Sequence, residues 1–200
     1  MNSTRETIIE TAFLLFLKRG YKAVTLSDLE RAVGMTKGTF YYHFTNKEEV
    51  LKEGIREYYR LLNRKRMEEF KQIHSLREFI DVTIRHLLEI DNYSAKSFDS
   101  DIPEILCLSL LVEVISIYPE FREVVLNTKV SWLSKLEQLI LQAKREGEVR
   151  DDVDTSILAK NLLNIGVGVI NYLIMHQDIS YALSAVRSQY EQLYSLVKAG

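Results

Sequence analysis

The scarcity of glycine and proline is the feature that most restricts what this chain can fold into. Two prolines and eight glycines in 200 residues are too few for the turns that an all-β protein needs between its strands. Apolar residues instead recur at helical spacing, and near the start of the chain they form one face from Ile8, Ile9, Ala12, Phe13 and Phe16. We therefore predict an all-α protein.

Helix-start and helix-stop signals divide the chain into about nine predicted helices. Capping boxes, in which a Ser or Thr is followed three residues later by an acidic residue, are expected at Ser3–Glu6, Thr25–Asp28, Thr45–Glu48 and Ser75–Glu78. Two further helices begin at Pro103 and Pro119, another at Asp154, and the last at Asp178 or Ser180. The predicted ends lie near Gly20, Gly34, Phe44, Ile73, Ile90, Gly147, His176 and Ala199, and residues 91–100 are predicted to form a loop.

Charge is distributed unevenly between the two parts of the chain. Residues 1–47 hold seven Lys or Arg and four Asp or Glu, whereas residues 48–200 hold nineteen and twenty-four. Because DNA is negatively charged, the excess of basic residues in 1–47 and of acidic residues in 48–200 predicts that any contact with DNA lies in the first quarter of the chain.

The sequence shows no feature that predicts a disulfide, a membrane-spanning helix or a signal peptide. The single cysteine, Cys107, rules out an internal disulfide and a cysteine-based zinc site. The longest uncharged stretch, residues 161–177, is shorter than the ~20 apolar residues of a membrane span. Because we see no signal peptide either, we expect a cytoplasmic protein.

Two short helices separated by Gly34-Met35 describe a helix-turn-helix, whose second helix would run from Thr36 to Phe44. Phe40 and Phe44 are four residues apart, so they share a face and would anchor that helix to its neighbours. Lys37, Thr39, Tyr42 and His43 are left on other faces. Gly38, which has no Cβ, would let the backbone approach base edges, and Lys37 can donate to guanine O6 and N7.

Two other interpretations compete with DNA binding. The chain could be a helical scaffold with an aromatic-rich core, although such a scaffold has no need of Lys37-Gly38. It could be an enzyme, but its four histidines are never paired at metal-ligand spacing, and no phosphate-binding glycine loop or nucleophile elbow occurs. Nothing supports a Cys107–His86 pair. We expect no catalytic activity, no cofactor and no metal.

A longer stretch of residues carries a family resemblance. Thr25-Leu26-Ser27-Asp28-Leu29, then residues 32–44 (AVGMTKGTFYYHF), then Asn46-Lys47-Glu48 resemble the signature of the TetR family of transcriptional regulators over about 45 residues. The resemblance implies base contacts from Thr36, Lys37, Gly38 and Thr39. It also implies phosphate contacts from Thr25, Tyr41, Tyr42, His43 and Lys47, although Tyr41 could as easily pack inward.

The resemblance further implies a DNA-binding domain over residues 1–47 and a helical-bundle domain for ligand sensing and dimerisation over residues 48–200. The predicted helix from Asp154 to His176 is apolar nearly all round, so it needs cover from its own bundle and from a second subunit. Gly166 and Gly168 would allow close approach. We expect a homodimer through the last two helices, with an interface dominated by Ile165, Val169, Tyr172, Val186, Tyr190 and Leu193.

Polar groups embedded in the apolar helices are the candidates for reading an unknown small-molecule effector. Glu113, the sole charge between Ile105 and Tyr118, ranks first because an unpaired buried charge is costly. The other candidates are Trp132, Asn164, Tyr172, His86 and Cys107, with Asn171 and His176 as further embedded polar residues. For each of them, a satisfied core or interface group is the more common role in proteins than a ligand contact. The predicted function is a repressor that an effector releases from a palindromic DNA operator. The fourth predicted helix, which ends near Ile73, is expected to connect the two domains and to move when the effector binds.

Overall fold

The computed structural model describes residues 4–88, 104–176 and 178–200. In these ranges the chain forms nine α-helices and no strand, with one isolated bridge between Val149 and Lys198. The all-α prediction is therefore confirmed. The helices are α1 (Thr4–Arg19), α2 (Leu26–Val33), α3 (Lys37–His43), α4 (Lys47–Phe70), α5 (Leu76–Leu88), α6 (Glu104–Ile117), α7 (Phe121–Arg145), α8 (Thr155–His176) and α9 (Ile179–Val197).

Local capping chemistry explains where α2 begins and ends. The Asp28 N–H donates to Thr25 Oγ1 at 3.2 Å, and the Thr25 N–H donates back to Asp28 Oδ2 at 2.9 Å, which is the predicted capping box. Gly34, with φ +73°, ends the helix in the left-handed conformation that glycine adopts at little cost.

Several predicted helix ends are displaced. The capping box expected at Thr45–Glu48 is wrong by one residue: Asn46 Oδ1 accepts the Glu49 N–H at 2.9 Å, and Glu49 Oε2 accepts the Thr45 N–H at 2.7 Å. Helix α4 ends at Phe70 instead of Ile73. Of the two starts predicted for the last helix, Asp178 is the N-cap of α9. Ser3, Pro103 and the predicted loop at 91–100 lie outside the described residues.

The described chain divides into two compact units. The first unit holds α1–α3, α4 through Arg64, α6, and α7 through Leu126. Its core includes Phe13 of α1 and Leu29 of α2, and also Leu51 of α4 and Leu111 of α6. The side chains that surround the helix-turn-helix therefore extend well beyond residue 47, the limit predicted for the DNA-binding domain.

The second unit holds α4 from Lys65, α5, α7 from Asn127, α8 and α9. Glu148, in the turn after α7, accepts the N–H groups of Leu76 and Arg77 at 2.9 and 2.8 Å and the Tyr194 hydroxyl at 3.1 Å. One carboxylate thereby satisfies the start of α5 and holds α9 against it. Among the described residues, no helix combines the length and apolar character that a membrane crossing requires.

Candidate nucleic-acid interface

The turn between α2 and α3 is built from backbone and threonine hydrogen bonds. The N–H groups of Gly34 and Met35 both donate to Glu30 O at 3.0 Å. Thr36 caps α3 by accepting the Thr39 N–H at 3.3 Å, and the two threonine hydroxyls lie 3.0 Å apart. These short-range bonds set the direction in which α3 leaves the turn.

The inner face of α3 packs as the four-residue spacing predicts. Phe40 is fully buried and Phe44 nearly so, with ring centroids 6.0 Å apart. Both belong to the core of the first unit. Burial of the two phenylalanines determines which side of α3 faces outward.

The outer face of α3 is open. Tyr42 is 84% exposed and Tyr41 is 50% exposed, while Lys37 and Gly38 are also exposed. A Cβ added at Gly38 would meet only Thr36 Oγ1, at 3.9 Å. Lys37 lies 5.9 Å from the centroid of the Tyr41 ring. This face therefore offers a cation, hydroxyl groups and accessible backbone on one short helix, which can contact phosphates and base edges.

Two predicted phosphate-binding side chains are engaged within the protein. The Thr25 hydroxyl donates to Asp28 Oδ2 at 2.5 Å. The Lys47 ammonium donates to Tyr21 O at 2.9 Å and to Val24 O at 2.7 Å. Burial lowers the pKa of Lys47, and the charge of Glu113 partly offsets that effect. Both side chains stabilise the segment that joins α1 to α2.

Glu113 and Cys107, two of the candidates for an effector contact, lie in the first unit. Cys107 is buried in its core. The Glu113 carboxylate accepts the N–H groups of Tyr21 and Lys22, each at 2.9 Å. Both oxygens are thus occupied by the α1–α2 segment, and the structure does not support the interpretation that Glu113 reads an effector.

Trp132 and His86 converge in the second unit on Arg66, which sequence reasoning did not single out. The Arg66 guanidinium lies 5.9 Å from the Trp132 ring centroid and donates to His86 Nδ1 at 2.6 Å. Since arginine can only donate, His86 Nδ1 is the acceptor and Nε2 carries the proton, 3.3 Å from Glu69 Oε1. We call Arg66, Glu69, His86 and Trp132 the Arg66 cluster.

The charges of the Arg66 cluster balance one another. Burial disfavours the ionised Glu69, but the hydrogen bond with His86 and the charge of Arg66 outweigh it and hold the pKa of Glu69 below its ordinary value. An Arg–Glu pair three residues apart is common on exposed helix surfaces. The sequence therefore contained no signal that this pair is partly buried beside a histidine and a tryptophan.

Asn164 and Tyr172 lie elsewhere in the second unit. Asn164 lines an open groove of about 330 Å³ with Asn161, Ile165, Gln189 and Leu193. The Tyr172 hydroxyl accepts a hydrogen bond from Gln189 Nε2 at 2.6 Å. Within the second unit, the candidate effector residues therefore have described contacts in two places, at Arg66 for Trp132 and His86 and between α8 and α9 for Asn164 and Tyr172.

Three residues of the predicted dimer interface belong to the core of their own chain. Val169, Val186 and Tyr190 are buried, and the Tyr190 hydroxyl donates to Leu162 O at 2.9 Å. A partner could not reach them, so this part of the prediction is wrong. Among the side chains of α8 and α9 whose exposure the structure describes, the exposed large apolar ones are Ile157, Val167, Met175, Tyr181 and Leu196.

Comparisons with known proteins cover most of the chain. Residues 8–53 match the family described as bacterial regulatory proteins, tetR family, and residues 106–189 match the tetracyclin repressor-like C-terminal domain. The transcriptional repressor DhaR of Mycobacterium sp. (strain GP1) is 26% identical over 83% of this chain and 80% of its own length. The uncharacterized regulator YerO of Bacillus subtilis is 42% identical, but over only 30% of this chain and 20% of its own length.

Solved structures show the same fold. A TetR-family regulator from Cytophaga hutchinsonii has a TM-score of 0.77 at 20% identity, covering 98% of this chain and 96% of its own. A regulator from Saccharomonospora viridis, solved in complex with choline, has a TM-score of 0.77 at 21% identity and covers 98% of both chains.

Proposed function

Because this chain belongs to the TetR family of bacterial transcriptional regulators, we propose that its α3 reads operator DNA and that an effector bound in the second unit releases it. The family consists of DNA-binding regulators and not of enzymes, and the chain is a DNA-binding transcriptional repressor that responds to a ligand. The open outer face of α3, opposite the buried Phe40 and Phe44, is the observation that carries the proposal. A repressor acts where the chromosome lies, which in bacteria is the cytoplasm.

We expect the residues at the start of α3 to recognise the bases. Lys37 and Gly38 are exposed there, beside the capping pair Thr36 and Thr39, which are hydrogen-bonded to each other. Lys37 can reach guanine O6 and N7, and the uncovered backbone at Gly38 permits close approach to base edges.

Phosphate contacts surround this reading face. Tyr41, Tyr42 and His43 carry donors that suit phosphate oxygens, which set the register of the protein on DNA. Thr25 stands at the N-terminus of α2 and Lys47 at the N-terminus of α4, where backbone N–H groups favour an anion. Since the Lys47 ammonium is engaged with two carbonyl oxygens, we expect its backbone N–H to make the contact.

The DNA-binding proposal can be tested with the purified protein and a pool of random double-stranded DNA. Repeated selection in the presence of excess competitor should enrich one sequence with two-fold symmetry. If binding is equally strong for all sequences at every salt concentration, the protein does not read bases and the proposal fails.

The Arg66 cluster is our candidate for the effector site. Its charged side chains are only partly exposed, and replacing such a pair with apolar residues is often neutral or stabilising. Stability alone therefore does not account for placing charges there. We expect an effector with a flat apolar group against Trp132 and a polar group that bonds to Arg66 or Glu69.

Trp132 provides a direct assay, because the chain contains one tryptophan. Compounds that bind at the Arg66 cluster should change the Trp132 emission and release the selected operator at similar concentrations. The same compounds should lose both effects on Arg66→Gln but not on Arg187→Gln, which changes an exposed arginine of α9. A compound that releases DNA equally from all three proteins would place the effector site elsewhere.

A homodimer through α8 and α9 would present two recognition helices to a palindromic operator. The exposed side chains of these helices, among them Val167, Met175 and Leu196, would form its apolar contacts. Val167→Glu should then give a monomer by light scattering at micromolar concentration. Val130→Glu, at an exposed valine of α7, should leave a dimer. A wild-type monomer that binds operator normally would overturn the dimer proposal.

Helix α4 offers a route for release, since it runs without interruption from Lys47 to Phe70 and includes Arg66 and Glu69. An effector that binds better after α4 has moved would favour dimers whose recognition helices are not about 34–36 Å apart, the spacing of one DNA turn. It can shift that equilibrium only by its difference in affinity for the two states.

A further inference from the structure

We propose that Glu113 is a positioning residue for DNA binding, which holds the α1–α2 segment so that α2 and α3 are presented correctly. This inference rests on the proposed function. It concerns a contact within the first unit, between α6 and the six residues from Gly20 to Thr25.

The Glu113 carboxylate is bound by two consecutive backbone donors. Its Oε2 accepts the Tyr21 N–H and its Oε1 accepts the Lys22 N–H, both at 2.9 Å. Gly20 precedes them with φ +78°, and a Cβ at that position would lie 3.1 Å from Glu113 Oε2. Successive N–H groups in a turn form a concave site for an anion, and here the anion is a side chain of α6.

Two more contacts hold the same segment. The hydroxyls of Tyr21 and Tyr118 lie 2.9 Å apart, and burial, followed by this hydrogen bond, raises the pKa of Tyr21 above its ordinary value. On the other side, Lys47 of α4 donates to Tyr21 O and Val24 O. The segment is therefore held from α6 and from α4 at once.

The contact of Glu113 joins α6 to the residues that lead into α2. The segment leads directly into Thr25, the N-cap of α2, while α6 opens the stretch that matches the C-terminal family domain. Apolar packing of Leu110 and Leu111 is non-directional and tolerates small shifts. A carboxylate bound through both oxygens is directional, so Glu113 defines one orientation of α2 against α6.

Glu113→Gln tests the contact with little change in shape. The carboxamide accepts one N–H bond but directs its own NH₂ donor at the other N–H group. We expect hydrogen exchange at the Tyr21 and Lys22 amides to accelerate, and the Kd for the selected operator to rise, each by about tenfold, which corresponds to losing one hydrogen bond to a charged group. Affinity for unrelated DNA should change by less than about twofold, because the phosphate-binding groups are all retained and non-specific binding needs no fixed register on the bases.

Glu123→Gln is the matched control, since it removes the same charge from an exposed position of α7. It should change neither amide exchange nor operator affinity. If the glutamine variant of Glu113 does not fold, Glu113→Asp, which keeps both oxygens on a shorter side chain, replaces it. It should likewise accelerate amide exchange at Tyr21 and Lys22 and raise the Kd for the operator.

The outcomes separate this inference from the proposed function. Faster exchange at both amides with operator affinity equal to the wild type would show that the contact is structural only, and it would overturn the inference. Unchanged exchange would overturn it too, because the contact would then not hold the segment. A wild-type protein that selects no DNA sequence would refute the proposed function itself, whatever the exchange measurement shows.

Discussion

Gly38→Ala should make the protein more stable and a poorer DNA binder. Gly38 occupies the first turn of α3, after the N-cap Thr36, and it is exposed to solvent. A glycine in this place has no role in packing, because an added Cβ would meet only Thr36 Oγ1 at 3.9 Å. The two effects of the substitution therefore have separate causes.

The gain in stability follows from helix propensity. Alanine is better than glycine by about 1 kcal/mol in a helix interior, and we expect about 0.5–1 kcal/mol for the first turn. For a chain of this size that corresponds to a rise in Tm of about 1–4 °C. The loss in binding follows from the added methyl group, which would hold α3 away from the base edges at a cost of about 1–3 kcal/mol, as one wrong base pair does.

Thermal melting at one protein concentration and titration of the selected operator at one salt concentration measure the two effects. Gly34→Ala is the control of opposite sign: a Cβ added there would meet no atom within 4 Å, but the φ of +73° at Gly34 disfavours alanine by roughly 1–2 kcal/mol. Operator affinity within twofold of the wild type would refute the role of Gly38 in close approach. A lower Tm for Gly38→Ala would refute the account of α3 as an open helix.

Three further substitutions test other residues. Lys37→Ala should weaken the preferred operator by roughly 1–3 kcal/mol and relax its base preference, measured by repeating the selection, whereas Lys129→Ala on α7 should not. Lys47→Ala should lower the free energy of unfolding, measured in urea, by about 1–3 kcal/mol, because two carbonyls lose a charged donor. If the substitution instead reduces the slope of log K against log salt concentration for DNA binding by about 0.9, the Lys47 ammonium contacts a phosphate. Glu148→Gln should lower the free energy of unfolding by about 1–2 kcal/mol, with Glu146→Gln, exposed at the end of α7, as the control.

Apart from the capping box predicted at Thr45–Glu48, which is displaced by one residue, sequence reasoning was accurate where a feature depends on residues three or four positions apart. The capping box at Thr25–Asp28, the stop at Gly34 and the buried pair Phe40 and Phe44 all appear as expected. In each case the interacting groups are brought together by one turn of helix, so their spacing in the sequence is also their spacing in the fold. The helix-turn-helix and the all-α class follow from such local rules.

Tertiary structure decided the features whose partners are distant in the chain. Glu113 stood out as a lone charge in an apolar helix, but its partners are the N–H groups of Tyr21 and Lys22, more than 90 residues away. Lys47 matched a phosphate-binding position, yet its ammonium is directed to Tyr21 O and Val24 O. Local spacing cannot identify such partners, because they are set by which helices pack together.

Helix α8 shows the same limit for apolar residues. Its sequence is apolar nearly all round, so periodicity could not separate the side that meets α9 from the side left open. Packing placed Val169 in the core of the chain and left Val167 exposed. The sequence alone determined that α8 needs cover, and the arrangement of α8 against α9 determined which residues remain for a partner, because burial depends on the neighbouring helix and not on the residue itself.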